Sequence, residues 1–241
     1  MLPVLILAAV LLLGAPGARA EEGEKTTATN WHALLVGVSE YPVLRKKLGE
    51  ERYKARRVAL KGPPNDVALM RDLLLEVVGI PSKNITELVG WPTDEKSRPT
   101  YKNIIAALDR LGATVKKGDR VVIHMGGHGC QVPDTSGDEL DGKDEVFLPA
   151  DTGTWEKDKI SNVITDDELN KKVRRIRDAG AFVWLIMDCC HSGTIVRGTE
   201  EGVQTRRLDP DDLGVPITAT RGTSSREDYS KEESQNLERI V

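Results

Sequence analysis

Three apolar runs constrain the fold of this 241-residue chain more than any other feature. They lie at His32–Val38, Arg120–Met125 and Ala181–Met187, and each is apolar on what would be both faces of a strand. Strands buried on both faces are typical of mainly parallel sheets that helices cover. The sequence therefore predicts an α/β fold, a three-layer sandwich with a mainly parallel sheet and helices on both faces.

Segments with helical spacing alternate with these strands. Apolar residues recur at that spacing over Asp66–Gly79, over Thr100–Leu111 and over Thr165–Asp178. The third segment begins with a Thr that has Glu three residues later, which is a capping-box pattern. Two shorter strands are predicted over Asn84–Val89 and Val215–Thr220.

Two polar segments interrupt the alternation. Tyr41–Gly62 is strongly basic with weak periodicity, and we expect an exposed excursion there. Gly126–Glu145 is rich in Gly, Asp and Glu and is predicted to be a loop that ends in a short apolar piece.

The N-terminus has the pattern of a secretory signal. An apolar run is followed by the small-x-small triplet Ala18-Arg19-Ala20, which predicts cleavage after Ala20 and a secreted or periplasmic protein. No Lys or Arg precedes the run, which leaves an uncleaved anchor as the alternative. We therefore divide the chain into a signal peptide (1–20), a disordered leader (21–30), one folded domain (31–222) and a polar tail (223–241), with a fold that could be truncated. No later segment is apolar enough to span a membrane.

Composition excludes several classes of protein. The net charge of −4 and the lack of a basic stripe argue against nucleic acid as a partner. The three cysteines are too few for a disulfide framework.

Chemistry-bearing residues follow two of the predicted strands. Gly126-Gly127-His128-Gly129 comes after one, and Asp188-Cys189-Cys190 comes after the other. The carboxyl ends of neighbouring parallel strands lie side by side, so an imidazole and a thiol would face each other there. A Cys–His dyad performs acyl transfer, and the N–H groups of Gly129 and Cys190 could hold the developing oxyanion. Chemistry alone leaves open which cysteine attacks.

These motifs resemble those of the caspase-like cysteine peptidases, and of the metacaspases in particular. Gly127-His128-Gly129 and the later Asp-Cys-Cys-His-Ser-Gly run from Asp188 carry the resemblance, which extends over about Trp31–Gly193. Further segments occur in the matching order: His32–Val38, Asn65–Val67, Gly137–Gly142, Asp144–Glu145, Pro149–Asp151 and Ile164–Leu169.

The resemblance implies a role for particular residues. Cys190 would be the nucleophile and His128 its acid–base partner, in a caspase-like domain over 31–222 that corresponds to the family's large subunit. Asp66 and Asp188 match acidic residues that line the pocket for Arg or Lys before the scissile bond, and paired carboxylates suit such a cation. Gly126 and Pro63 replace other family pocket residues and would change its shape.

Calcium binding is also implied by the resemblance, at Asp166 and Asp167. The carboxylates of Asp138, Asp141 and Asp144 lie nearby in sequence, but Arg197 stands where the family has a further aspartate. A cation there repels calcium. The sequence therefore predicts no required cofactor, with calcium activation as the open alternative.

Simpler roles compete with these assignments. Asp66 could be only a helix N-cap, Asp138–Glu145 a solvated loop, and His124 a satisfied core or semi-buried histidine. A zinc site made from cysteines 130 and 190 with histidines 128 and 191 has no usual ligand spacing.

The prediction is a cysteine endopeptidase that cleaves peptide or protein substrates after Arg or Lys through His128 and Cys190. The alternative is a non-catalytic caspase-like binding or regulatory module, with a partner at an incomplete sheet edge. Arg206-Arg207 lies in a polar segment after the nucleophile, and self-cleavage is expected after Arg207.

Overall fold

A computed structural model describes residues 30–90, 94–134, 142–189 and 205–216. The expected signal peptide, the leader and the polar tail lie outside these ranges, apart from Asn30 of the leader. Across the described ranges, no helix combines the length and apolar character that crossing a bilayer requires. The elements in chain order are β1 (Trp31–Gly37), α1 (Pro42–Leu48), α2 (Glu50–Ala55), α3 (Gly62–Leu73), β2 (Ile85–Val89), α4 (Tyr101–Thr114), β3 (Arg120–Gly126), β4 (Gly129–Pro133), β5 (Lys143–Phe147), β6 (Trp155–Glu156), β7 (Lys159–Ile160), β8 (Ile164–Thr165), α5 (Asp166–Asp178) and β9 (Phe182–Asp188).

The central sheet has the strand order β2-β1-β3-β9, and every pairing in it is parallel. Successive β1 residues enter different hydrophobic clusters: Leu34 and Val36 belong to one, while Ala33 and Leu35 belong to the other. Helices α4 and α5 pack on the first cluster and α3 packs on the second. The predicted three-layer α/β architecture is therefore confirmed, because helices cover both faces of the sheet at its central strands β1 and β3.

Helix α3 begins against the carboxyl end of β1. Two prolines stand in its first turn, where a missing N–H costs nothing. A Cβ on Gly37 would lie 2.8 Å from the carbonyl oxygen of Pro63, so the strand and the helix approach more closely than a side chain permits. The interpretation of Asp66 as an N-cap is wrong, since the helix starts at Gly62 with Lys61 before it.

Helix α5 starts as its sequence predicts. Thr165 Oγ1 accepts a hydrogen bond of 3.1 Å from the Glu168 N–H, which satisfies one of the free amides of the first turn. Leu169 and Ile176 face the core from this helix. A similar Thr100 cap opens α4, where the acceptor–donor distance to Asn103 is 3.4 Å.

The basic segment Tyr41–Gly62 is more ordered and more buried than the sequence indicates. It forms α1 and α2, and its few apolar side chains, including Leu44, Tyr53 and Val58, are buried. The basic side chains are exposed as expected, but the segment is helical and its buried residues anchor it to the core. The buried apolar residues are too far apart to give a clear periodicity, and Val43 between them is exposed.

The predicted loop Gly126–Glu145 contains strands. β4 and β5 pair in antiparallel fashion, and β5 also pairs with β8. Val132, Val146 and Phe147 are buried, so this small sheet is anchored by few apolar residues. Positions 135–141 between the strands lie outside the described residues.

Strand β9 is the outermost strand of the central sheet within the described part of the chain. Its Phe182 and Trp184 side chains are 68% and 56% exposed. Of the further strand predicted over Val215–Thr220, Val215 and Pro216 are not in a strand and the rest lies outside the described residues.

Candidate active site

The strands that precede the two motifs, β3 and β9, are direct neighbours in the sheet, which a shared site requires. Gly126 at the end of β3 pairs with Asp188 at the end of β9. The loop that carries His128 therefore begins beside the segment that leads to Cys190. Cys190 and His191 lie outside the described residues, and Cys189 is the last described residue before them.

His128 is held from several sides and is only 1% exposed. Its backbone N–H donates to Tyr41 Oη at 2.8 Å, and its carbonyl accepts from the Leu148 N–H at 3.0 Å. The ring Nε2 donates to the carbonyl oxygen of Val58 at 2.9 Å. A carbonyl only accepts, so the proton of the neutral ring sits on Nε2 and Nδ1 keeps its lone pair.

The ring of His128 is poised as a base. Burial lowers its pKa to about 4, although the backbones of Val58 and Arg206 favour the protonated ring. Nδ1 is buried and has no hydrogen-bond partner among the described residues. At neutral pH the imidazole is therefore uncharged, with Nδ1 available to accept a proton.

Cys130 is unsuited to be the nucleophile. Its side chain is fully buried, and burial raises its thiol pKa to about 12. The thiol donates to the carbonyl of Gln131 at 3.3 Å. A thiol in this environment stays protonated near neutral pH and attacks poorly. Cys189 is partly buried and packs against the main hydrophobic cluster.

Asp66 and Asp188 meet at a single cation. Asp66 comes from the first turns of α3 and Asp188 from the end of β9, and both carboxylates bind the guanidinium of Arg206. One Nη atom contacts each aspartate, and Nη1 also lies 3.4 Å from the Asp188 carbonyl oxygen. The two residues that the sequence assigns to a pocket for basic side chains therefore form a site that holds a guanidinium.

Missing side chains make room for this guanidinium. A Cβ on Gly62 would lie 2.5 Å from Arg206 Nη2, and a Cβ on Gly126 would lie 3.3 Å from Nη1. Pro63 is also close, at 3.6 Å from that position on Gly126. The residues that the sequence indicates as shaping the pocket, Gly126 and Pro63, thus lie at the cation site.

Gly129 contributes its backbone to the same place. Its N–H donates to the carbonyl oxygen of Arg206 at 3.0 Å, and its carbonyl accepts from the Leu208 N–H at 3.1 Å. The Gly129 N–H, which the sequence predicts to lie in an oxyanion hole, therefore binds the carbonyl of Arg206. The side chain of the same arginine lies between Asp66 and Asp188.

His124 and His32 lie outside the candidate catalytic pair. His124 in β3 is 4% exposed, and burial lowers its pKa. It is buried as expected, but its Nδ1 has no hydrogen-bond partner within the described ranges, so it is not a fully satisfied core histidine. His32, at the start of β1, has its Nε2 atom 3.4 Å from Oδ2 of Asp119.

The acidic residues proposed for calcium occupy the first turn of α5. Asp166 and Asp167 are adjacent there, where negative charge favours the helix N-terminus. One oxygen of Asp166 is buried without a partner among the described residues, but those residues contain no group of three His, Cys, Asp or Glu side chains that could hold a metal ion. Asp138, Asp141 and Arg197 lie outside them. Calcium takes six to eight oxygen ligands, so the described residues alone do not complete a site.

Three contributors to this site have no clear signal in the sequence: Val58, Tyr41 and the side chain of Arg206. Val58 acts through its carbonyl and Tyr41 through its hydroxyl, and both come from the segment interpreted as an exposed excursion. Arg206 is visible in the sequence only as half of an Arg-Arg pair.

Comparisons with known proteins agree with this architecture. A family profile described as "Metacaspase, peptidase C14 domain" matches residues 32–198. Metacaspase-2 of Arabidopsis thaliana is 37% identical over 164 residues, which is 68% of this chain and 35% of that protein. Metacaspase-1A of Aspergillus oryzae is 31% identical over 229 residues, 95% of this chain and 46% of that protein. The chain thus spans less than half the length of either relative.

A solved structure has the same overall fold. The crystal structure of protein GSU0716 from Geobacter sulfurreducens matches with a TM-score of 0.53 and 25% sequence identity. The match covers 85% of this chain and 65% of that one.

Proposed function

Because the chain belongs to the metacaspase family of caspase-like cysteine peptidases, we propose that it hydrolyses peptide bonds after Arg or Lys, with Cys190 as nucleophile and His128 as acid–base. The observation that carries the substrate preference is the guanidinium held by Asp66 and Asp188 beside Gly129. Asp66 and Asp188 each take one nitrogen of the guanidinium. This arrangement favours Arg over Lys, whose ammonium is a single point charge.

The chemistry follows from the state of His128. Its unprotonated Nδ1 accepts the proton of the Cys190 thiol, and the thiolate attacks the carbonyl carbon that follows the basic side chain. The Gly129 N–H stabilises the oxyanion, with the Cys190 N–H as the second donor. The imidazolium protonates the leaving amine, and water then hydrolyses the thioester. The Val58 carbonyl holds the ring in the orientation and tautomer that this sequence of steps needs.

The test uses purified protein and fluorogenic peptides that end in Arg, Lys or Asp. We expect release from the Arg peptide, slower release from the Lys peptide and none from the Asp peptide, with all activity absent in Cys190→Ala. Equal hydrolysis of the Asp peptide, or undiminished activity in Cys190→Ala, would contradict the proposal. Cys189→Ala is the matched control, and it should retain activity.

One observation favours a second candidate, a binding or regulatory module without catalysis. Phe182 and Trp184 are exposed on the outermost described strand, and such a strand with large apolar side chains is suited to a partner. A folded protein that is silent on every peptide would favour this candidate over the peptidase.

We also propose export and calcium activation from the sequence. The apolar N-terminal run followed by Ala18-Arg19-Ala20 supports a secreted or periplasmic location. The adjacent carboxylates of Asp166 and Asp167 would contribute oxygen ligands to calcium, which is not required for the steps above.

A further inference from the structure

His124 lies on the same side of the sheet as the cation site, where Asp66 and Asp188 hold a guanidinium. It stands in β3 two residues before Gly126, and alternate residues of a strand share a face. Its neighbours across the sheet are Leu35 on β1 and Ile186 on β9, which both pack in the hydrophobic cluster on the α3 side. Helix α3 also supplies Asp66, so the imidazole lies under the helix that carries one of the two carboxylates.

The ring of His124 leans along its strand toward the cation site. Its Cε1 atom lies 3.5 Å from the place that a Cβ on Gly126 would take, and Arg206 Nη1 lies 3.3 Å from the same place. Positions two apart along a strand are separated by about 6.6 Å, so the ring spans much of that distance. Since Gly126 has no side chain, the imidazole and the bound guanidinium border one small space.

The imidazole is buried and incompletely hydrogen-bonded. His124 is 4% exposed, and its buried Nδ1 has no hydrogen-bond partner within the described part of the chain. Nδ1 is covalently bonded to Cε1, the ring atom that approaches Gly126. A second proton on the ring would therefore place a positive charge beside the cation site.

The charged groups that act on His124 come from the site itself. Burial lowers the pKa of its ring, Asp188 of β9 and Asp66 of α3 raise it, and Arg206 lowers it further. Leu35, the neighbour on β1, carries no charge. A cation between the two carboxylates thus disfavours the protonated ring, whereas removal of that cation favours it.

We propose that His124 is a specificity-determining residue of the cation site, which accepts a basic side chain only while this imidazole is uncharged. The inference deepens the proposed function and rests on it. A proton on His124 competes with a guanidinium between Asp66 and Asp188, because two positive charges would lie close together in a partly buried place. Binding of a basic residue to the protonated form therefore releases that proton to the solvent.

Benzamidine, whose amidinium stays charged over the pH range used, tests this competition without catalysis. The parent protein is Cys190→Ala with Arg206→Gln, in which the internal arginine does not compete. We expect the dissociation constant to rise at least about fivefold from pH 7.5 to pH 5.5, a window above the range in which ordinary carboxylates titrate.

Two histidine variants of this parent protein assign the effect. His124→Gln should remove the pH dependence of benzamidine binding, because the amide cannot take up a proton in this range. His32→Gln is the matched control, since this histidine lies at the amino end of β1 beside Asp119, and it should keep the dependence. A pH-independent parent protein, or an undiminished dependence in His124→Gln, would overturn the proposal.

Calorimetry gives a second readout that needs no change at His124. The binding heats of benzamidine at pH 6, in two buffers with different ionisation enthalpies, give the number of protons released. We expect the parent protein to release a fraction of a proton at pH 6 and none at pH 8. His128 does not contribute, because its pKa of about 4 keeps the ring uncharged at pH 6. Zero release at pH 6 would overturn the proposal even if His124→Gln failed to fold.

Hydrolysis of the Arg peptide separates this role from a purely structural one. In the Arg206→Gln protein, KM should rise from pH 7.5 to pH 6. Adding His124→Gln should remove that rise, while the pH profile of kcat stays the same in both proteins. A lower kcat at every pH, with the rise in KM unchanged, would show a structural role only and would overturn the proposal.

The proposed function and this inference fail in different ways. Hydrolysis of the Arg peptide, with a KM and a benzamidine affinity that do not change with pH, would support the peptidase and overturn the role of His124. Absence of benzamidine binding at every pH would show that Asp66 and Asp188 do not take up an external cation. That result would overturn the proposed preference for Arg, and this inference with it.

Discussion

The Nε2 atom of His128 donates a 2.9 Å hydrogen bond to the carbonyl oxygen of Val58. This bond fixes which ring nitrogen carries the proton and leaves Nδ1 as the acceptor. A backbone carbonyl performs this task, so no side-chain substitution at position 58 removes it directly. The segment around Val58 is therefore as important for the base as the glycines that flank His128.

Tyr41→Phe should destabilise the protein, because the Tyr41 hydroxyl accepts the buried N–H of His128 at 2.8 Å. An unsatisfied buried amide costs about 1–3 kcal/mol in the free energy of unfolding. Urea denaturation measures the loss. Tyr101→Phe is the control, since its hydroxyl bonds to partly exposed Glu168, and about 1 kcal/mol or less is expected there. Equal losses in both variants would contradict this role of Tyr41.

Acidification should reduce the free energy of unfolding through His128. Its pKa is about 4 in the folded chain, below the ordinary value of 6.5, so the unfolded chain binds the proton first as pH falls. Stability is therefore lost between roughly pH 6.5 and 4, by about 2 kcal/mol at pH 5.

Urea denaturation at pH 7 and pH 5 checks this, with His128→Gln as the comparison. The variant should lose less stability between the two pH values than the wild type. His124 also has a lowered pKa and remains in both proteins, so the difference isolates His128. An identical pH dependence in the two proteins is the contrary result.

Asp66→Asn and Asp188→Asn should each lower kcat/KM for an Arg peptide. Each variant removes one charged partner of the guanidinium, and hydrogen bonds to charged groups contribute about 1.5–3 kcal/mol, or roughly a 10- to 100-fold effect. The measurement is best made in the Arg206→Gln background, where the internal arginine does not compete. Asp72→Asn, on the same helix but paired with Arg71, is the control and should change little.

Calcium should raise peptidase activity without being essential for it. Protein treated with EGTA should still hydrolyse the Arg peptide, and added calcium should increase the rate with a midpoint of about 0.1–1 mM. The double variant Asp166→Asn, Asp167→Asn should lose the increase, whereas Asp178→Asn at the other end of α5 should keep it. An increase of the same size in the double variant would exclude these two ligands.

Export should remove the first twenty residues. Mass spectrometry of the chain recovered from a secreting host should give Glu21 as the N-terminal residue, because cleavage is expected after Ala20. Ala20→Arg should block this cleavage, since the site requires small residues. Recovery of the intact N-terminus from both proteins would contradict the signal-peptide prediction.

The sequence is sufficient to predict the sheet, because β1, β3 and β9 carry an unambiguous signal. The continuous apolar runs of β1 and β3 are buried between two layers of helices, as the pattern predicts. Strand β9 takes its predicted place beside β3 but is less buried than its run indicates, since Phe182 and Trp184 are exposed. The Thr165 cap of α5 was equally readable, since side-chain capping depends on residues close in sequence.

The surroundings of His128 could not be predicted in the same way. Val58 acts through its backbone carbonyl, so its side chain gives no signal in the sequence. Its contact with His128 also joins residues that are 70 positions apart. The strands β4 and β5 have no clear signal in the sequence, because few buried residues anchor them within a polar segment. The identity of the pocket's occupant, Arg206 rather than Arg207, depends on tertiary placement, which two adjacent identical residues cannot reveal.

Gly37, Gly126 and Asp188 form one row across three adjacent strands. Helix α3 rests on the first member of this row through Pro63, and it carries Asp66 three residues further on. The distance between the Asp66 and Asp188 carboxylates therefore depends on the close contact between Gly37 and the first turn of α3. A methyl group at position 37 would push helix α3 away from the sheet and increase the distance between the Asp66 and Asp188 carboxylates. The size of cation that the site accepts would then change, although no residue in contact with the cation is altered.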